Sequence, residues 1–369
     1  MRLARTAAEA VAEIPDGARI VVPPGLSFGP NELLEALAAR TFERGVQLAC
    51  SLQSLPPAVA ANPRIEILIW QLFGGTRPLM AEGRASFLPL RYSEFPKVFG
   101  PGGPLEPDVL LAQLPPPAAG KISPGAAGAI LLDVARTTPL VVAELSSEQP
   151  RTVSRPTLRT GDIDVAVEVQ APPPVMAVAA ASADERAVAA NVAALIPDGA
   201  TLQFGIGGAV EAVLASLKNH RRLGVHSGMI SDGVVPLVES GAVTNEAKGT
   251  FTGKTVTGLL VGGRRLLDWA EGNPDLIMAP ARVTHGLRSL SRVRGLTAIN
   301  SAIEVDLGGQ VNAEYLRGRQ YSGIGGQGDF AFAASTNDLP GNVSVVALTS
   351  TNRDGSISRI VSRLGAGTP

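Results

Sequence analysis

Two glycine-rich segments in the second half of the chain have the spacing best suited to chemistry. Gly205–Ala209 (GIGGA) follows an apolar run and precedes a helical pattern, and Ser322–Phe330 (SGIGGQGDF) holds four glycines beside Gln327 and Asp329. Bare backbone amides at the start of a helix can bind a phosphate or stabilise an oxyanion. A plain strand-to-helix turn is the stronger explanation for the first segment. For the second segment, a plain glycine turn and a ligand site explain the glycines equally well.

Carboxylate and imidazole side chains supply the remaining candidates for chemistry. Glu304 stands in Asn300–Asp306, near the end of an apolar run, where it could act as a nucleophile or occupy a solvated strand edge. The three histidines are His220, His226 and His285. His226 and His285 are candidate general bases, and for either one alone a hydrogen-bonded structural role is the stronger interpretation.

The composition is that of a globular protein without a nucleic-acid or membrane partner. The chain has 369 residues, 45% hydrophobic residues, 18% charged residues and a formal net charge of −1. This length favours two domains, and the charge balance lacks the basic surface of a nucleic-acid binder. The sequence predicts neither an apolar run long enough to span a bilayer nor a secretory signal. Cys50 is the single cysteine and no two histidines lie close, which argues against a metal site and fits a reducing, cytoplasmic compartment.

An internal repeat predicts the architecture. Ile14–Ala18 and Ile196–Ala200 both read IPDGA, 182 residues apart (196 − 14). Each copy ends an Ala-rich helical pattern with a Pro-Asp-Gly turn and then enters an apolar run, Ala18–Val22 or Ala200–Phe204. A second helical pattern and a second strand follow in the same order in each copy. The repeat predicts an α/β protein with two similar open α/β domains whose sheets are largely parallel.

The boundary between these domains is predicted at a proline-rich stretch, Ala171–Pro174. We assign residues 1–172 to an N-terminal domain and residues 182–369 to a C-terminal domain that carries both glycine-rich segments. Ligands bind beyond the carboxyl ends of parallel strands, so most of the site is expected in the C-terminal domain.

From about Asp184 onward the sequence resembles the acetyl-CoA hydrolase/CoA-transferase family. The matching stretches are IPDGATLQFGIGG (196–208), LGVHSGMISDGVVPLVESGAVTN (223–245), AINSAIEVDLGGQV (298–311), YSGIGGQGDF (321–330) and SRI (358–360). The resemblance implies an active site at the interface of two α/β domains. It implies coenzyme A or an acyl-CoA as substrate, a carboxylate as its partner and no metal. The resemblance leaves open whether the protein forms a homodimer.

The resemblance also implies a covalent mechanism. A family Glu attacks the acyl-CoA, giving an anhydride and then a glutamyl-CoA thioester, while backbone amides of the glycine-rich segments stabilise the oxyanions. The residues that the resemblance places against CoA are Gly205, Ile206, Gly207, Gly208, Ala209, Ile303, Gly325, Gly326, Gln327 and Arg353.

The sequence departs from the family at the nucleophile. In His226–Met229 (HSGM), Gly228 stands where the family has Glu, and His285 stands where Asn is expected. Family members usually continue past the position of Pro369 with a further segment that includes a Glu-Tyr-Gly element. Three functions stay open: hydrolysis with His226 or His285 as the base, transfer through Glu304, or CoA binding without turnover. We favour an enzyme that acts on acyl-CoA, because the glycine-rich segments are present in recognisable form.

Overall fold

Two sets of parallel strands, separated along the chain, define the fold. The computed structural model describes residues 1–26, 28–53, 55–170, 180–336 and 339–368. We call residues 1–170 the N-terminal half and residues 180–368 the C-terminal half. The predicted α/β class with largely parallel sheets is confirmed. The proline-rich Ala171–Pro174 lies outside the described residues, and the domain division at 172 and 182 stays a prediction.

The N-terminal half is built on one eight-stranded sheet in the order β1-β10-β8-β6-β2-β3-β4-β5, in which every neighbouring pair is parallel. The strands of this half are β1 (Arg2–Leu3), β2 (Arg19–Val21), β3 (Val46–Ser51), β4 (Ile65–Gln71), β5 (Ala85–Phe87), β6 (Val109–Leu114), β7 (Lys121–Ile122), β8 (Leu140–Leu145), β9 (Leu158–Arg159) and β10 (Val165–Glu168). The helices are α1 (Ala7–Val11), α2 (Asn31–Ala39), α3 (Pro57–Ala61), α4 (Thr76–Ala81), α5 (Phe95–Val98) and α6 (Leu131–Val134). All residues of β6 are buried, as expected for a strand covered on both faces.

The C-terminal half holds a four-stranded parallel sheet, β12-β11-β17-β22, and several short strand pairs. Its strands are β11 (Thr201–Phe204), β12 (Gly224–Val225), β13 (Ile230–Ser231), β14 (Thr255–Thr257), β15 (Leu260–Val261), β16 (Leu276–Met278), β17 (Leu296–Asn300), β18 (Glu304–Asp306), β19 (Val311–Asn312), β20 (Tyr315–Leu316), β21 (Arg319–Gln320), β22 (Val343–Val346) and β23 (Ile360–Val361). The helices are α7 (Ala183–Ala193), α8 (Gly208–Ser216), α9 (Val234–Glu239), α10 (Arg264–Ala270), α11 (Ala281–Thr284), α12 (Leu287–Leu290) and α13 (Gln327–Thr336). None of the described helices is both long and apolar enough to cross a membrane.

The two IPDGA copies occupy corresponding places in the two sheets. Gly17 and Gly199 adopt φ of 85° and 81°, in the left-handed region that favours glycine. The Asp16 carboxylate accepts hydrogen bonds from three backbone N–H groups just before β3, and Asp198 accepts one at 2.8 Å just before β12. Each turn therefore ties the start of a central strand to the loop that enters the neighbouring parallel strand.

The hydrophobic cores of the two halves meet. Phe28 and Ala126 from the N-terminal half belong to the main apolar cluster of the C-terminal half, and Ala281 belongs to an N-terminal cluster. The Arg282 guanidinium also pairs with the Asp133 carboxylate, which is almost fully buried. This shared packing holds the carboxyl ends of several strands from both halves close together.

Candidate active site

A cavity of about 350 Å³ opens between the two halves. The N-terminal half contributes Gln71, Arg77 and Tyr92 to its wall, among other residues. The C-terminal wall includes Gln203, Phe204, Gly205, Ile206, Gly228, Met229, His285, Asn300, Ser301 and Ser322–Gln327. Among the described residues, none that lines the cavity is Asp or Glu. The polar groups of the site are therefore amides, one imidazole, one guanidinium, hydroxyls and backbone.

The carboxyl ends of two adjacent parallel strands form one wall of this cavity. β11 and β17 are paired in register, and the side chains of Gln203 and Asn300 exchange two hydrogen bonds of 3.3 and 3.2 Å. Gly205 and Ile206 leave the end of β11, and Ser301 leaves the end of β17. This is the sheet edge at which ligands bind in parallel α/β folds.

The second glycine-rich segment packs directly on the N-terminal half. A Cβ added at Gly323 would lie 2.2 Å from the backbone oxygen of Trp70, so any side chain there would separate the halves. Farther along, the Asp329 carboxylate accepts hydrogen bonds from the Ser93 hydroxyl at 2.5 Å and from its backbone N–H at 3.0 Å. Packing between the halves therefore accounts for the glycine at 323.

The His285 ring fills the space beside position 228. A Cβ added at Gly228 would lie 2.4 Å from His285 Nε2, and a Cβ added at Gly326 would lie at the same distance. The ring of Tyr92 stacks on the imidazole at 4.8 Å, and Phe330 meets it edge-on at 5.0 Å. The imidazole is held between aromatic neighbours, so it leaves no room for a side chain at Gly228 or Gly326.

His285 is neutral at physiological pH. Its burial lowers the pKa to about 3, because a charged imidazolium would lose its hydration. Nδ1 is hydrogen bonded to Oγ1 of Thr284 at 2.8 Å. Nε2 is the nitrogen next to both glycines, and no hydrogen bond to it occurs within the described residues. An uncharged ring nitrogen is consequently left at the cavity wall.

His226, the other candidate base, does not line this cavity. It is fully buried, and its Nε2 lies 3.2 Å from the backbone oxygen of Val283. Burial, assisted by the charge of Lys248, lowers the pKa of His226 to about 3. Lys248 is itself buried, which lowers its pKa to about 7, and its Nζ donates to two backbone oxygens at 2.6 Å. Both side chains are thus buried against backbone oxygens, which fits a structural role for each.

The residues predicted to contact CoA divide into two groups. Those that line the cavity are Gly205, Ile206, Gly325, Gly326 and Gln327. Gly207, Gly208 and Ala209 form the start of α8 instead, Ile303 lies before β18, and Arg353 is in an exposed turn. Glu304 also lies outside the cavity, where its carboxylate accepts a hydrogen bond from Asn312 Nδ2 at 3.0 Å. All ten CoA contacts stay predictions.

Comparison with known proteins identifies the family. Residues 262–369 match the acetyl-CoA hydrolase/transferase C-terminal domain. The 4-hydroxybutyrate coenzyme A transferase of Clostridium kluyveri is 36% identical over 295 residues, covering 80% of this chain and 68% of that protein. The succinyl-CoA:cyclohexane-1-carboxylate CoA transferase of Geobacter metallireducens is 30% identical over 363 residues, covering 97% and 82%. The chain belongs to the CoA-transferase family. The resemblance inferred from the sequence is confirmed.

The fold of this CoA-transferase family member also matches a solved structure over its whole length. RipA from Yersinia pestis superposes with a TM-score of 0.89 at 24% identity, covering 100% of this chain and 86% of that chain. The likeness concerns the arrangement of helices and strands.

Three polar cavity residues from the N-terminal half of this family member were missed from the sequence. Gln71 is the last residue of β4, Arg77 lies in α4, and Tyr92 begins a short 3-10 helix. Gln71 carried a usable signal, since a polar residue ends an otherwise apolar strand at the edge where ligands bind. Arg77 and Tyr92 had none, because only packing of the two halves brings them to the cavity.

Proposed function

We propose that this chain binds an acyl-CoA in the cavity and cleaves the thioester with water activated by His285. One observation carries the proposal: among the described residues the cavity wall has no carboxylate, and the imidazole of His285 fills the space beside Gly228. A glutamyl intermediate needs a carboxylate at the reacting carbon. An imidazole nitrogen can instead take a proton from water.

The reaction would proceed with the groups that the cavity provides. Nε2 of the neutral His285 removes a proton from water, and the hydroxide adds to the thioester carbonyl carbon. The C–S bond then breaks, and the CoA thiolate takes the proton from the imidazolium, leaving a free carboxylic acid. Burial opposes a lone imidazolium, but this cation and the oxyanion form together and offset each other's desolvation.

Backbone groups beside His285 are suited to hold that oxyanion. Gly326 and Gln327 line the cavity where α13 begins, and no hydrogen bond from their backbone N–H groups occurs within the described residues. Amides at the start of a helix bind anions well, and oxyanion donors are often the largest contribution to acyl-transfer catalysis.

The rest of the cavity favours an apolar acyl group. Leu52, Leu72 and Phe73 from the N-terminal half line the cavity together with Met229 and Leu259 from the C-terminal half. Such a lining removes apolar surface of the ligand from water. The relatives are named for different acids, 4-hydroxybutyrate and cyclohexane-1-carboxylate among them, so the proposal specifies the thioester and no single acyl group.

The test compares thioester cleavage with CoA exchange. The protein is incubated with a panel of acyl-CoAs, with and without carboxylate acceptors, while free thiol and newly formed acyl-CoA are followed. We expect thiol release without an acceptor, and we expect His285→Asn to abolish it. His220→Asn is the control and should leave thiol release unchanged, because His220 Nε2 contacts the Ile196 oxygen away from the cavity. Acceptor-dependent CoA exchange with no thiol release would contradict the proposal.

A second candidate function is binding of acyl-CoA without turnover. The observation that favours it is the tight fit of His285 between Gly228 and Gly326, where a Cβ added at either glycine would lie 2.4 Å from Nε2. Binding by calorimetry together with an absence of thiol release and of CoA exchange would select this function.

A further inference from the structure

A groove beside the cavity is lined by three arginines and by no acidic side chain. It has a volume of about 800 Å³ and runs between α4 and the β20–β21 hairpin. Arg77 comes from α4, and Arg317 and Arg319 come from the hairpin. Arg77 lines both openings, so the groove adjoins the cavity that holds His285.

The positive charge of this groove is uncompensated. Within the described ranges, none of the three arginines forms an ion pair. The nearby carboxylate of Glu314 is not part of the groove wall and accepts a hydrogen bond from Gln320 Nε2 at 2.7 Å. The chain as a whole has a net charge of −1, so this groove is a local exception.

The hairpin is fixed in place against α4. Arg77 Nε donates to the backbone oxygen of Tyr321 at 2.8 Å, and its guanidinium lies 3.7 Å from the centroid of the Tyr321 ring. These contacts leave the terminal N–H groups of Arg77 available, because the described residues give them no protein acceptor. The guanidinium is thus oriented before any ligand arrives.

The turn of the hairpin places a second guanidinium at the groove. Arg317 and Gly318 join β20 to β21 with φ of 52° and 76°, as in a two-residue turn of the kind that favours Asn-Gly. Arginine offers the backbone no advantage in that conformation, whereas its side chain adds charge to the groove. The exposed side chain of Arg319 lies two residues farther along.

We propose that this groove binds an oxyanion carried by the substrate, either a phosphate of the CoA moiety or a distal carboxylate of the acyl group. The proposal rests on the proposed function for the identity of the ligand. Guanidinium groups bind phosphate and carboxylate oxygens in pairs. The cavity of about 350 Å³ is at the small end for ligand sites, so an acyl-CoA must continue outside it. Arg77 lines both the cavity and the groove, so it lies where the two openings join.

The test measures binding rather than turnover. Titration calorimetry of the full chain compares the wild type, Arg317→Gln, Arg319→Gln and the double variant. The ligands are CoA, phosphate-free pantetheine, and pantetheine thioesters of a monocarboxylic and a dicarboxylic acid of equal length. We expect each single change to weaken binding of the anionic ligand roughly three- to tenfold, and the double change to weaken it further. Arg292→Gln, an exposed arginine outside both openings, is the matched control.

The ligands separate the two sources of the oxyanion. A loss for CoA but not for pantetheine identifies a phosphate, and a loss for the dicarboxylic but not the monocarboxylic thioester identifies a distal carboxylate. Equal affinities in the wild type and double variant for every ligand would overturn the proposal, as would an equal loss for all ligands or no binding by the wild type. If ligand affinity depends on the arginines but no thioester is cleaved, the proposed oxyanion site is supported and the proposed hydrolysis is wrong.

Discussion

Placing a carboxylate at position 228 tests whether His285 occupies the space of the family nucleophile. An added Cβ at Gly228 would lie 2.4 Å from Nε2 and 2.6 Å from Cε1 of His285. The ring cannot swing aside freely, because Tyr92 stacks on it at 4.8 Å and Phe330 packs at 5.0 Å. We expect Gly228→Glu to lower the free energy of unfolding by about 1–3 kcal/mol, as overpacking does, and to form no protein-bound CoA thioester.

Removing the imidazole in the same chain should relieve this clash. His285→Asn introduces a smaller amide of the type expected at this position from the family resemblance. The double variant Gly228→Glu/His285→Asn should then be more stable than the sum of the single changes predicts, with a coupling of about 0.5–3 kcal/mol. Denaturant titration measures the coupling. Mass spectrometry after incubation with acyl-CoA should show a CoA thioester at residue 228 in the double variant alone.

The matched control places the same residue where there is room. Gly161→Glu adds a carboxylate at an exposed glycine with no atom within 4 Å of the new Cβ, and its unfolding free energy should stay within about 0.5 kcal/mol of the wild type. The reasoning is refuted if Gly228→Glu is as stable as this control and is acylated without a change at His285.

Three further changes test the cavity and the alternative nucleophile. Gly326→Val should weaken CoA binding by about 1–3 kcal/mol in calorimetry, since its Cβ would lie 2.4 Å from His285 Nε2; unchanged affinity would contradict the placement of CoA. The pKa of His285 is about 3 in the folded protein against about 6.5 when unfolded, so the unfolded state gains a proton first and stability falls as the pH drops from about 6.5 towards about 3. His285→Asn should reduce that slope in urea titrations by up to about 1.4 kcal/mol per pH unit, and an equal slope in both proteins would argue against a buried neutral imidazole. Glu304→Gln should leave thiol release unchanged, because Glu304 bonds Asn312 outside the cavity; lost activity or an adduct on Glu304 would favour the transferase alternative.

The architecture was predictable where local signals repeat. IPDGA ends a helix and starts a strand in both halves, and Gly17 and Gly199 adopt the positive φ that a Pro-Asp-Gly turn indicates. The split of the C-terminal half into a four-stranded sheet and short pairs was not predictable. Strands such as β13 and β15 have two residues each, too few to show any periodicity.

The candidate site was predictable only along single stretches of chain. Gly205 and Ile206 line the cavity because they leave the end of β11, and the segment 325–327 lines it where α13 begins. The contact between Gly228 and His285 was not predictable, since it depends on how α11 packs against the N-terminal half. Arg77 is more distant still in sequence, and it reaches the cavity only through the interface between the halves.

The side chain at position 285 is polar, which distinguishes an active role from a residue that only fills space. A residue that only fills the volume beside Gly228 and Gly326 needs an apolar side chain, and leucine would provide one without desolvating a polar group. An imidazole in this place carries the cost of burial, which is seen in its lowered pKa of about 3. The ring is oriented by Thr284 at Nδ1 and by Tyr92 on its face, and these contacts direct Nε2 towards the two glycines. A general base works best with a pKa near the working pH, so at a pKa of about 3 this nitrogen takes a proton from water only as the oxyanion forms beside it. Its orientation, and the absence of a partner for it among the described residues, are why we place hydrolysis before passive binding.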